Sequence, residues 1–198
     1  MHAAVKVLED VDKRFHSNVK AVCGGRRKEW DSDHNLFTNM LSGNSHNKFT
    51  FAFCVNFTRQ ESFCTPNILL FEMIRNTTDE EVAHRVHIER LWMDSAEEDA
   101  CSFLHCLQYL TYGAFGERYK QLHSLRDLES YVCDIRNELN LYHLETAFTL
   151  LGHCYEMEGD YNEALHNYRQ SLCCNETNNA ANWHVRRVVR FALTVSRR

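Results

Sequence analysis

Proline is almost missing from this chain: Pro66 stands alone among 198 residues. Proline removes a backbone donor and clashes with the preceding helical turn, so long helices run unimpeded over most of the sequence. A general excess of positive charge is missing too. Acidic residues outnumber lysine and arginine 27 to 22, giving a net charge of -5 and a pI near 6.2. That balance argues against a broad nucleic-acid-binding surface. No uncharged apolar run approaches the length of a membrane span. No apolar stretch with a small-residue cleavage site follows Met1, so no secretory signal is read there. Neither a P-loop nor a Gly-x-Ser-x-Gly elbow occurs.

Cysteine runs the other way. Nine are present: Cys23, Cys54, Cys64, Cys101, Cys106, Cys133, Cys154, Cys173 and Cys174. A small secreted disulfide scaffold is usually shorter and poorer in core residues, whereas 44% of this chain is apolar. The expectation is mostly buried, reduced thiols filling small core positions in a cytoplasmic protein. The sequons at Asn56, Asn76 and Asn175 then have no use.

Three segments follow from the patterning: an N-terminal helix and loop over 1–47, a small β-rich insertion over 48–94, and helical repeats with a C-terminal capping helix over 95–198. Residues 3–16 place Val7, Leu8, Val11 and Phe15 on one helix face. That helix begins almost at Met1 without a capping sequence, which suggests a chain lacking its upstream partner. Residues 23–47 are rich in Gly, Ser, Asn and Asp and read as loop, with one helical turn near Leu36 to Leu41. Then Phe49, Phe51, Phe53, Val55 and Phe57 alternate with Thr50, Ala52, Cys54 and Asn56, the period of a half-buried strand. Asn67 to Ile74, entered through Pro66, and Val86 to Trp92 are its expected antiparallel companions. Ser95 and Glu98 form a capping-box pattern. The helix beyond it carries Phe103, Cys106, Leu107 and Leu110 on one face and is expected to break at Tyr112-Gly113. A second helix follows, with Phe115, Tyr119, Leu122 and Leu125, running past Tyr131 to a loop near 134–141.

The clearest pair comes next. Leu144, Ala147, Phe148, Leu151 and Tyr155 define one helix face; Tyr161, Ala164, Leu165, Tyr168 and Leu172 define its partner's. Glu158-Gly159-Asp160 is the tight turn between them. Glycine costs about 1 kcal/mol inside a helix, so Gly152 needs a reason. Two helices joined by so short a turn pack closely, and close approach requires small side chains where the axes cross. Gly152 and Ala164 supply them. A last helix begins after Asn178-Asn179, with Ala181, Val185, Val188, Val189 and Ala192 in register.

The arrangement Phe148-x-x-Leu151-Gly152-x-x-Tyr155, then Ala164-x-x-x-Tyr168, resembles a tetratricopeptide repeat, with Phe148 in place of the usual tryptophan and Glu176 in place of the usual proline. Gly159 and Tyr161 complete its packing set. A weaker copy lies 46 residues upstream, matching Tyr155 to Tyr109, Gly159 to Gly113, Tyr161 to Phe115 and Glu163 to Glu117; Gly152 meets Cys106 there and Ala164 meets Arg118. The resemblance covers 99–195 and implies a mainly α fold of antiparallel helix pairs, a tetratricopeptide-like α-solenoid, with a small antiparallel β insertion. A narrower likeness joins FLHCLQYLTYGAFGERYKQL, LGHCYEMEGDY and NNAANWHVRRV. Together they resemble the helical region trailing Mab-21-type domains in some invertebrate proteins. Those domains have a nucleotidyltransferase fold related to cyclic dinucleotide synthases of innate immunity. The chain would then be their C-terminal companion.

Catalytic candidates are weak. Gly24-Gly25 followed by Asp31-Ser32-Asp33 invites comparison with a nucleotidyltransferase metal site. Paired carboxylates must share a strand face, and no apolar alternation surrounds these. Cys101, His105 and Cys106, then His84 with His87, then His153 with Cys154, supply no matched spacing for four zinc ligands. Cys173-Cys174 is a vicinal pair at a helix end. No metal, cofactor or catalytic residue is expected. The expected function is non-catalytic: a helical surface that binds a peptide or docks a domain. In a solenoid the first helix of each pair lines the groove, which nominates Thr146, Thr149, His153 and Glu156. The C-terminal helix adds Trp183, Arg186, Arg187 and Arg190, suited to an anionic partner, although a solvated helix end is the more ordinary use of such arginines.

Overall fold

The computed structural model describes residues 2–13, 20–22, 51–74, 95–134, 141–176 and 179–195. Seven helices dominate them: α1 (His2–Asp12), α2 (Asn67–Ile74), α3 (Ala100–Ala114), α4 (Arg118–Cys133), α5 (Leu144–Glu158), α6 (Tyr161–Cys174) and α7 (Ala181–Val195). Four short strands accompany them: β1 (Lys20–Val22), β2 (Phe51–Phe53), β3 (Val55–Thr58) and β4 (Ser95–Glu98). The fold is mainly helical, with a small two-stranded antiparallel sheet.

The α5–α6 hairpin closes as its sequence requires. Gly159 takes the left-handed conformation at φ 79°. Its N–H donates to the Glu156 carbonyl, and the Asp160 N–H reaches back to Tyr155, both at 3.0 Å. This double closure is a Schellman motif, which satisfies carbonyls that the helix end leaves orphaned. Asp160 then caps α6, its carboxylate accepting from the Glu163 N–H at 3.1 Å. A β-carbon at Gly152 would lie 2.8 Å from the Tyr168 ring and 3.2 Å from the Ala164 carbonyl oxygen. The missing side chain is therefore what lets these axes meet.

The α3–α4 hairpin closes by the same device, at a different glycine from the one expected. Gly113 lies inside α3; Gly116, at φ 70°, makes the turn. The Gly116 N–H donates to Gly113 and the Glu117 N–H to Tyr112. Matching the two left-handed glycines, Gly116 to Gly159, sets the pairs 43 residues apart rather than 46. Gly113 instead marks a close approach, since a β-carbon there would lie 2.5 Å from Gln121 Nε2. Phe115 falls in the turn, outside the helix it was expected to join.

Two further corrections concern the sheet. Asn67 to Ile74 forms helix α2, not a strand. Pro66 sits just ahead of it, where its lost donor is harmless, and its carbonyl accepts from the Leu69 N–H at 2.9 Å. The strand expected over 49–57 is split at Cys54. Phe51–Phe53 pairs in parallel with Lys20–Val22, whereas Val55–Thr58 pairs antiparallel with Ser95–Glu98. Ser95 and Glu98 therefore lie in a strand, not in a capping box. The register sets Val55 against Glu98 and Phe57 against Ala96, and the Phe57 ring packs edge-on against Phe103 at 5.5 Å. The strand expected at Val86–Trp92, the turn near Leu36–Leu41, and the Gly24-Gly25, Asp31-Ser32-Asp33 and His84/His87 candidates lie outside the described residues.

The main core joins α2, β4, α3, α4 and α5 through Leu69, Ala96, Tyr109, Leu128, Leu150 and Cys154, all buried. A second cluster, Ala164 and Tyr168 with Ala181 and Val188, seats α7 on α6. Tyr155 packs against both. α1 is tied on by Glu9, whose carboxylate accepts from the Tyr112 hydroxyl and the Lys120 ammonium, each at 3.3 Å. Its Val7 and Val11 stay exposed. The cysteines divide: Cys101, Cys106 and Cys154 are buried, while Cys64, Cys133, Cys173 and Cys174 are exposed. Burial of the thiols was thus overestimated. No disulfide joins the eight that are described. No helix among the described residues is long and apolar enough to cross a membrane.

Candidate functional site

Four of the residues nominated for partner binding, His153, Glu156, Trp183 and Arg187, meet where α7 lies against α5, α6 and α2. Glu156 accepts from the Tyr168 hydroxyl at 2.8 Å and from Arg187 Nη2 at 2.5 Å, on the same carboxylate oxygen. Arg187 also lies over the Trp183 ring at 4.7 Å, and Trp183 stacks on Phe71 at 4.1 Å. His153 faces into this junction, 6.5 Å ring to ring from His184. His184 is fully buried, stacked on Tyr168 at 5.0 Å and edge-on to Phe71 at 4.9 Å.

The electrostatics follow from burial. Both ring nitrogens of His184, Nδ1 of His153 and Nε of Arg187 are buried with no hydrogen-bond partner among the described residues. Desolvation first, then Arg187 and His153, pushes His184 down to about 3. His153 is lowered mainly by desolvation, with Glu156 pulling the other way. Tyr168 is raised by burial and by the Glu156 charge it faces. The junction therefore holds neutral imidazoles beside one neutralised arginine.

The other nominated residues are placed differently. Thr149 is fully buried and Thr146 nearly so. Thr149 Oγ1 donates to the Glu145 carbonyl and meets Ser171 Oγ at 3.1 Å. Asn179 continues this seam. Its amide donates to the Ser171 and Asn175 carbonyls, and its side-chain oxygen accepts from the Ala181 N–H at 2.8 Å, capping α7. Thr146 and Thr149, expected to line an open groove, are buried instead, and Thr149 packs against α6 through Ser171. Arg186 and Arg190 lie on the outer, exposed face of α7. Phe148, Leu151, Gly152, Tyr155, Tyr161, Ala164 and Tyr168 pack within and around the α5–α6 hairpin, and exposed Gly159 supplies its turn.

A second polar cluster went unread in the sequence. Asp99, ahead of α3, accepts from the backbone N–H of Tyr142 at 3.3 Å and of His143 at 2.9 Å. Glu98 accepts from Ser102 Oγ at 2.5 Å and is fully buried. Burial pushes the Glu98 carboxyl well up, with Asp99 and Glu72 adding to the rise. Asp99 is raised by burial against the pull of its backbone donors. His143 lies 3.6 Å from Glu97 and 3.9 Å from Glu145. The available signal was an aspartate one residue before a helix; the competing capping-box pattern hid it.

No activated nucleophile emerges from these groups. Cys101 Sγ sits 3.6 Å from His105 Nε2, yet burial pushes the thiol up to about 12, the opposite of what a reactive cysteine needs. Among the described residues no three or more His, Cys, Asp or Glu side chains are placed to hold a metal ion. No family model matches the chain, and neither a curated protein nor a solved structure matches it.

Proposed function

We propose that the chain is a non-catalytic, tetratricopeptide-like interaction module, built from antiparallel helix pairs, that binds a peptide segment or docks a protein domain. The observation that carries this reading is the construction of its C-terminal third. A close-packed hairpin and an aromatic junction fix α7 in place, while arginines on the outer face of that helix make no ion pair among the described residues. A rigid scaffold presenting a chemically distinct face suits recognition. The setting proposed is cytoplasmic.

A second reading is favoured by α1, which leaves Val7 and Val11 exposed, at 60% and 39%. Under it the chain is the C-terminal accessory of a Mab-21-like, nucleotidyltransferase-fold immune protein and docks on that upstream domain.

The test is selection from a displayed library of helical peptides against the full chain, followed by hydrogen exchange. The module reading expects saturable binders that protect amides within 95–195. A library yielding no saturable binder would end it.

A further inference from the structure

We infer that the outer face of α7 docks an acidic amphipathic helix of a partner protein, seated on Arg186, Val189 and Arg190. The inference deepens the interaction-module reading and rests on it. It begins with charge segregation. From Thr177 to Arg198 the sequence holds five arginines and no acidic residue, in a chain where acids outnumber bases 27 to 22. Within α7 the three arginines are not equivalent. Arg187 turns inward to Glu156 and Trp183. Arg186 and Arg190 stay exposed, and neither side chain has a partner among the described residues.

Those two arginines are four residues apart on one helix, a like-charge spacing that disfavours the isolated helix. Dipole complementarity acts within the last turn of a helix, which holds no basic residue in α7, so it accounts for neither Arg186 nor Arg190. Val189 is exposed on the same stripe, as is Asn182 one turn earlier. The stripe thus has the i, i+4, i+7, i+8 spacing by which one helix lies along another. Carboxylates one turn apart on a partner would face both arginines while an apolar side chain meets Val189.

The footprint favours a short helix over an extended polyanion. Screening confines the arginines' attraction to about 10 Å. A single helix stays within that reach. A nucleic acid or a membrane surface extends beyond that reach, and the net charge of -5 supplies no general basic excess to hold it.

The test is fluorescence anisotropy with a labelled helical peptide of about 20 residues, carrying glutamates one turn apart around a leucine stripe, titrated with the full chain. Binding is expected, about tenfold or more weaker in Arg186→Glu/Arg190→Glu, and restored to that variant by a peptide with lysine at the glutamate positions. Arg186→Gln/Arg190→Gln should lose less, with an unchanged circular dichroism melt. Absence of binding overturns the inference. Binding indifferent to the charge reversal also overturns it, but leaves the module reading standing with its surface elsewhere. Equal binding of a scrambled peptide, or tighter α7-dependent binding of single-stranded DNA or anionic vesicles, refutes the helix-specific assignment.

Discussion

Replacing Gly152 by alanine sets two effects against each other. Helix propensity improves by about 1 kcal/mol. The added methyl, however, meets the Tyr168 ring at 2.8 Å. That ring cannot swing aside: it is fully buried, stacked on His184 and tied through its hydroxyl to Glu156. Overpacking typically costs roughly 1–3 kcal/mol, so the clash wins. We expect Ala164→Leu to lower stability by about that amount in urea denaturation, and Gly152→Ala by about 1 kcal/mol less, after its gain in helix propensity. Gly152→Ala should be non-additive with Tyr168→Leu, because they contest one space. Gly159→Ala is destabilising for another reason. No atom crowds the position, but φ 79° costs a β-carbon roughly 1–2 kcal/mol. A Gly152→Ala variant as stable as the parent would show that the crossing is loose.

At the scale of elements, what the sequence revealed tracks how local each cause is. The α5–α6 hairpin was legible because Gly152, Gly159 and Ala164 encode turn and crossing within one stretch. α2 was not, since NILLFEMI is a short apolar run without a period, and such runs do not distinguish strand from buried helix. Its helical state uses more than one face: Leu69 and Met73 enter the core, while Phe71 turns to Trp183. Ser95–Glu98 lacks β-branched and aromatic residues, so its strand is set by pairing with Val55–Thr58 and not by propensity. The burial of Thr149 goes with α6, whose Ser171 meets its hydroxyl, a tertiary fact that no helical wheel contains. Asn179 tests the docking of α7. Asn179→Ala removes the cap on Ala181 and the bonds to the Ser171 and Asn175 carbonyls. A loss of roughly 1–2 kcal/mol is expected, with amide exchange accelerating in α7 before α3 and α4. Uniform acceleration across the helices would place the seam inside the global unfolding unit instead.

Over the whole molecule, two buried groups pull stability in opposite directions with pH. His184 titrates near 6.5 when unfolded and about 3 when folded. Between those values the unfolded chain binds the extra proton, so stability falls as pH drops from 6.5 toward 3. Glu98 is the reverse: its folded value lies well above the usual 4.5. Above 4.5 the folded chain holds a proton that the unfolded chain has released, so stability falls as pH rises toward the folded value. Above 4.5 the two slopes oppose each other, and each is at most about 1.4 kcal/mol per pH unit. The melting temperature should therefore show an acid limb below 4.5, set by His184, and an alkaline limb toward the folded value of Glu98. His184→Phe keeps the stack on Tyr168 while removing the titrating nitrogens, and should weaken the acid limb, which His153 shares, and leave the alkaline limb unchanged. Glu98→Gln should weaken the alkaline limb, which Asp99 shares, and leave the acid limb unchanged. If both variants keep the parent's profile, the limbs arise from surface charge, and 1 M salt should then collapse them through screening. Their persistence in salt, with selective loss in the two variants, ties acid sensitivity to the α7 junction and alkaline sensitivity to the β4–α3 corner.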